Sequence, residues 1–260
     1  MLKFIFKYFV ELTGNPYSSS ILKSFAKSKC SKPLIRPFAN TYQINQNEMK
    51  LPIHQYGSLH DFFTRQLKDN LRPIDASPNT LISPVDGVLS DMGPIMKNQT
   101  FFIKDRLYQL DHVLGSKERA KKYEDGFFYI LYLSPRHYHR FHYPISGTLH
   151  SRYALGEKSF PVNSLGMRWG DALFATNYRL ISELQTEFGN IAMVKVGALN
   201  INSIQLIHSE DKFTKGEELG YFSFGSTVIL FIEKNSQFHS LMNKSTEVTV
   251  GEPLAVWNKQ

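Results

Sequence analysis

Cysteine is nearly missing from this 260-residue chain: Cys30 stands alone. One thiol cannot close an intramolecular disulfide, and it brings too few sulfurs for a cysteine-ligated zinc site. That usage fits a reducing compartment. Long apolar runs are missing too. No stretch reaches the ~18 uncharged residues that suggest a membrane-crossing helix. Lys3, Lys7 and Glu11 interrupt the apolar N-terminus too often for the core of a signal peptide. The sequence has no internal repeat, no low-complexity tract and no long linker. It also lacks a Gly-x-Ser-x-Gly elbow, which argues against one large class of serine hydrolases. At 42% hydrophobic and 20% charged residues, the composition is that of a folded chain able to bury a sizeable core.

Acidic residues are scarce at one end. Residues 1–50 hold eight Lys/Arg against Glu11 and Glu48, a balance of +6 out of the whole chain's +7. Within them, Met1 to Leu12 reads as a helix with Lys3, Lys7 and Glu11 on one stripe and aromatic and aliphatic residues around it. Pro16 and Ser18 to Ser20 are expected to break it, and Ile21 to Lys29 to form a second helix. Two helices in a basic, phenylalanine-rich segment suit an anionic lipid surface better than nucleic acid, for which no binding motif is present. The competing reading packs both helices on the protein's own core.

Further along, Ser58 to Leu71 reads as a helix capped by Ser58. Ser83-Pro84-Val85-Asp86-Gly87 reads as a turn between strands. After Asp125 the chain becomes strand-rich, with Phe127 to Leu133, Phe188 to His208, Ser226 to Lys234 and Glu247 to Trp257 as strand regions. The resulting fold class is α+β, mainly β: N-terminal amphipathic helices, residues 1–75, then a largely antiparallel sandwich or barrel-like domain, residues 76–260.

His137, His139 and His142 fall within six residues. On an extended chain His137 and His139 share a face and His142 lies opposite, and no carboxylate sits among them. That arrangement converges poorly on a metal ion, whereas imidazoles suit proton transfer near neutral pH.

Phe224-Gly225-Ser226-Thr227 precedes a β-branched, aromatic run. Glycine lets a nucleophile approach its carbonyl closely. Attack by the Ser226 hydroxyl on Gly225 would convert the amide to an ester. β-Elimination would then leave a dehydroalanine that hydrolyses to a pyruvoyl group, an electrophilic carbonyl made from the chain itself. Read locally, the same residues are only a turn into a buried strand.

Four stretches together change that reading. They are Ser83 to Gly87, Ser134-Pro135-Arg136-His137-Tyr138-His139-Arg140-Phe141-His142, Val194-Lys195-Val196-Gly197-Ala198, and Lys215 to Gly220 with Phe224 to Thr227. In this order the chain resembles the prokaryotic-type, pyruvoyl-dependent phosphatidylserine decarboxylases over nearly its whole length.

The resemblance implies that Asp86, His142 and Ser226 form a triad. It implies self-cleavage between Gly225 and Ser226 into a β chain (1–225) and an α chain (226–260). His139 matches a histidine linked to substrate and decarboxylation. The implied cofactor is the pyruvoyl group from Ser226, with no metal. The implied partners are a membrane phospholipid and the two cleavage chains as a heterodimer, itself a candidate for dimerisation. The implied location is the cytoplasmic face of the cell membrane, held peripherally. Phe224, His137 and Asn202 depart from the family pattern, which bears on pocket shape and rate more than on the reaction. Two alternatives stay open: a pyruvoyl decarboxylase of a soluble amino acid, and a lipid-binding β module that does not cleave.

Overall fold

The computed structural model describes residues 16–103, 106–156, 173–197, 204–223 and 226–258. The expected helix over Met1 to Leu12 therefore lies outside the described residues, as do Phe224, Gly225 and Asn202.

The helical end of the chain contains α1 (Pro16–Lys27), α2 (Ile35–Tyr42) and α3 (Leu59–Phe63). The serines expected to break a helix lie within one. Pro16 to Ser20 are helical, the described part of α1 running from Pro16 through the serines. It stops at Lys27, and a 3-10 turn, Lys29–Leu34, follows.

The expected helix from Ser58 to Leu71 is also shorter. Ser58 caps it as read, its Oγ accepting from the Asp61 N–H at 3.1 Å, but α3 ends at Phe63. Beyond it, residues 66–68 lie extended against residues 48–50: Lys50 N–H donates to Gln66 O and Lys68 N–H to Glu48 O, both at 2.9 Å. That pairing outcompetes continuation of a helix whose polar tail buries little. Ile35, Phe38, Ile44, Met49, Tyr56, Phe62 and Phe63 form a small core of their own between these pieces.

The rest is built on strands. The first eight are β1 (Thr80–Ile82), β2 (Gly87–Pro94), β3 (Thr100–Ile103), β4 (Arg106–Gln109), β5 (Phe127–Leu133), β6 (Arg140–His142), β7 (Gly147–Leu155) and β8 (Arg179–Thr186). Then come β9 (Gly189–Gly197), β10 (Ile204–Leu206), β11 (Lys212–Phe213), β12 (Glu218–Phe222), β13 (Ser226–Ile232), β14 (Phe238–Ser240), β15 (Glu247–Val248) and β16 (Pro253–Trp257). Short helices α4 (Leu110–Leu114), α5 (Lys117–Lys121) and α6 (Leu173–Thr176) lie among them.

Eight strands form one antiparallel sheet in the order β11-β7-β8-β9-β13-β5-β2-β15. It has two free edges and does not close into a barrel. One face carries Leu131, Leu133, Met193, Val228 and Leu230, covered by residues of β6, β12 and β16 such as Phe141, Phe222 and Trp257. The other face carries Phe128, Ile130, Val194, Ile229 and Phe231, covered by β3, β4 and α4 through Phe101, Tyr108 and Val113.

β13 is central and buried along its whole length. This is why its sequence is a continuous apolar run rather than an alternation. Each fully buried side chain of this size contributes about 1.5–3 kcal/mol, so the strand is anchored strongly.

Candidate active site

Ser226 is the first residue of β13, paired with Leu133 on one side and Gly197 on the other. It is fully buried, and its Oγ has no hydrogen-bond partner among the described residues. By strand alternation its side chain shares a face with Val228 and Leu230.

Asp86 sits just before β2, at the same end of the sheet. Gly87 fixes its place: a Cβ there would meet the Tyr132 carbonyl oxygen at 2.7 Å, so only glycine allows this approach of β2 to β5. Asp86 and Ser226 thus flank the end of β5 from opposite sides, their backbones roughly 10 Å apart at ordinary strand spacing.

The Asp86 carboxylate is 4% exposed and takes a fork from Arg72, with Nε at 3.0 Å from both oxygens and Nη2 at 2.6 Å. It also accepts the Val250 N–H at 2.9 Å. Arg72 reaches Glu48 as well, at 2.8 Å. Burial pulls the Arg72 guanidinium down, but hydrogen bonds and charge from Asp86, then Glu48, more than offset this and raise it.

The histidine stretch is not extended throughout. Ser134 and Pro135 open a turn closed by the His137 N–H on Ser134 O at 3.0 Å, and only Arg140–His142 is strand. The face assignment expected for His137 therefore does not apply. Its Nδ1 accepts from the Ser134 N–H at 3.0 Å, and burial, then the Arg136 charge, pull its ring down to about 4.

His139 is fully buried with its ring 4.0 Å from that of Phe63. Its Nδ1 lies 2.9 Å from His137 O. His142 Nδ1 lies 2.9 Å from Gly216 O, so the carbonyl of Gly216 holds the position expected for Asp86. A carbonyl can only accept, so both rings carry their proton on Nδ1 and present a lone pair at Nε2. Both Nε2 atoms are buried and have no partner among the described residues.

Burial pushes His139 down to about 3, partly offset by its bond to His137 O. Burial lowers His142 too, against the Gly216 bond and the negative charges of Glu218 and Asp86. Asp86 therefore acts on His142 through its charge, without a hydrogen bond.

The backbone joins these parts: Phe222 N–H donates to His139 O at 2.8 Å, and Phe222 ends β12 shortly before Ser226. His142 lines a cavity of about 210 Å³ with Arg72, Lys68, Tyr138 and Glu218.

Three residues near these groups went unremarked in the sequence: Arg72, which holds Asp86, Arg65, whose Nη2 donates to His137 O, and His60, whose Nε2 lies 3.3 Å from Ser223 Oγ. No local pattern marks a residue whose partner is 14 or 163 positions away. Among the described residues no group of three or more His, Cys, Asp or Glu could hold a metal ion.

A buried serine hydroxyl at the head of β13 and two buried imidazoles whose Nε2 atoms have no partner among the described residues are the chemistry-bearing groups of this antiparallel β scaffold. Residues 59–256 match the phosphatidylserine decarboxylase family. The chain is 45% identical over 257 residues, 99% of both chains, to a phosphatidylserine decarboxylase proenzyme of Halalkalibacterium halodurans. Proenzymes of the same name from Geobacillus kaustophilus and Bacillus mycoides are 46% and 43% identical. These matches cover 99% and 100% of this chain, and 98% and 97% of theirs. A glucose permease IIA structure from Mycoplasma capricolum superposes at a TM-score of 0.33 with 18% identity, over 68% of this chain and 94% of its own. The chain belongs to the phosphatidylserine decarboxylase family.

Proposed function

We propose that this chain decarboxylates phosphatidylserine to phosphatidylethanolamine after cutting its own Gly225–Ser226 bond. The observation that supports the reading is the buried Ser226 hydroxyl, which has no partner among the described residues, as do the buried Nε2 atoms of His139 and His142. A reactive hydroxyl kept dry and unpaired fits a residue that is to be consumed.

In maturation, His142 Nε2 takes the Ser226 Oγ proton, and Oγ bonds to the Gly225 carbonyl carbon. The C–N bond breaks and its nitrogen is protonated, which leaves an ester. Loss of the Ser226 Cα proton breaks the Cβ–Oγ bond, frees the Gly225 carboxylate and leaves a Cα=Cβ double bond, which tautomerises to an imine. Water then replaces the nitrogen, released as ammonia. Asp86, fixed by Arg72, stabilises the His142 imidazolium by its charge while the proton is held there.

The pyruvoyl group made this way supplies an electrophilic carbonyl that accepts the substrate amine and an electron sink for the pair left by CO2. His139, the histidine that the resemblance links to substrate, hands the α-carbon the proton that replaces CO2. The Nδ1–H bond to His137 O keeps that ring in one orientation throughout.

The substrate is a membrane lipid, and no helix among the described residues is long and apolar enough to cross a membrane. On the basic balance of residues 1–50, residues 1–75 are read as the membrane-facing part and 76–260 as the catalytic part, with attachment to the cytoplasmic face of the cell membrane. Ile21 on α1 is 73% exposed beside Lys23, as a lipid-facing turn would be.

The test is intact-mass measurement with CO2 release from phosphatidylserine vesicles. Wild-type protein should yield chains 1–225 and 226–260, the latter beginning with pyruvoyl. Ser226→Ala should stay full-length and release no CO2; a cleaved Ser226→Ala chain would overturn the assignment.

A further inference from the structure

A cavity of about 450 Å³ lies where the helical segment meets β6, lined by Lys50, Arg65 and Arg140, with Asp61 as its one carboxylate. Arg65 is only 4% exposed. Its Nη2 donates to two backbone oxygens, Arg136 O at 2.8 Å and His137 O at 3.0 Å. Its Nε and Nη1 are buried and have no acceptor among the described residues. A buried cation normally has its donors satisfied, because water no longer does it. Phe62 lies 5.5 Å from the guanidinium carbon, which contributes cation–π attraction and no acceptor.

Around this group the balance is positive. Arg140 gives Nη1 to Glu218 at 2.6 Å and Nε to Thr64 O at 3.0 Å, and Lys50 is exposed at the rim. Burial brings Arg65 down to about 10, so it stays charged at neutral pH.

The cavity is close to the reaction. Arg65 Nη2 and His139 Nδ1 both contact His137 O, at 3.0 and 2.9 Å, and so lie under 6 Å from each other. In the serine headgroup, three bonds separate phosphorus from the α-carbon that loses CO2. An anion held by Arg65 would therefore present that carbon near His139.

We infer that this cavity is a phosphate-oxyanion subsite, with Arg65 as its buried donor and Lys50 at its mouth, that holds the phosphodiester of the lipid headgroup. The inference rests on the phosphatidylserine reading for the identity of the lipid, though not for the anion chemistry. Arg–phosphate contact is charge-assisted and directional, which lysine reproduces only as a point charge.

The test uses the full-length protein as purified. Phosphorus NMR titrations follow glycerophosphocholine, a phosphodiester with neither primary amine nor carboxylate, and inorganic phosphate, with choline as the phosphate-free competitor. Glycerophosphocholine should bind, phosphate should compete and choline should not. Arg65→Lys should weaken binding about tenfold, the scale of one lost charge-assisted hydrogen bond, and Lys50→Gln by a smaller factor. With dihexanoyl phosphatidylserine, both variants should raise KM in the same order while kcat falls less than KM rises.

Unchanged glycerophosphocholine binding in both variants would overturn the subsite. Binding of inorganic phosphate alone would make it a free-phosphate site and overturn the headgroup assignment, as would weakened binding with unchanged KM. Lys50→Gln guards against a folding defect in Arg65→Lys, since Lys50 braces no turn through its side chain. Absence of decarboxylation in the wild type would sink the function proposed above, while the phosphorus titration still reads the cavity.

Discussion

Replacing Lys195 by methionine should remove a pH dependence of stability that the wild-type fold carries. Lys195 lies on β9 opposite Val228, on the face of the sheet that holds Ser226, and is 0% exposed. Its Nζ lies 2.6 Å from Ser182 Oγ. Burial, then the nearby Arg152 charge, pushes its pKa well below the ordinary 10.5.

The folded chain thus holds a neutral amine at a pH where the unfolded chain holds an ammonium. Stability from this group is complete above the unfolded pKa and is lost as pH falls towards the folded one. Between pH 8.0 and 9.5 the unfolded chain binds more protons than the folded one, so stability should rise with pH over this range, by at most about 1.4 kcal/mol per pH unit. Methionine fills a similar volume with nothing to titrate. The measurement is urea unfolding at both pH values, in a Ser226→Ala background so that the chain stays in one piece. Lys195→Met should lack that rise relative to its parent. Equal pH dependence in the two proteins would refute the neutral-amine argument, and with it the claim that the Ser226 face of the sheet is dry.

Other outcomes follow from the same site. His142→Ala and Asp86→Asn should accumulate uncut precursor on a denaturing gel, whereas His139→Ala should still cut and decarboxylate poorly; equal block of cleavage by His139→Ala would make the two histidines one unit. Arg72→Met leaves the Asp86 carboxylate buried with only the Val250 N–H, which should cost about 3–5 kcal/mol, lower Tm and slow maturation; an unchanged Tm would show that Asp86 is solvated. Lys23→Gln with Lys27→Gln should weaken binding to anionic vesicles about thirtyfold at low salt, at about 1 kcal/mol per lysine, and leave neutral vesicles unaffected; equal loss on both vesicle types would show that α1 is core.

Much of the scaffold could be read from residue order alone, because its signals are local. Phe127 to Leu133 and the apolar run after Ser226 are central strands, since a segment buried on both faces cannot afford polar alternation. Ser58 marks a helix start because an N-cap needs only its next three residues. Gly225-Ser226 and the three histidines stand out by type and order, and the proposed chemistry starts from them.

What the sequence left open depends on partners far away in the chain. The helix after Ser58 ends early because residues 66–68 find strand partners at 48–50. Asp86 belongs to Arg72 and Val250, and His142 to Gly216, although a triad by name would pair Asp86 with His142. The reason is physical: residue type sets what a group can donate or accept, but only the fold decides which donors come within 3 Å and which are left dry. Lys195, Arg65 and the two free Nε2 atoms are of that second kind, made reactive or unsatisfied by burial that no local pattern encodes.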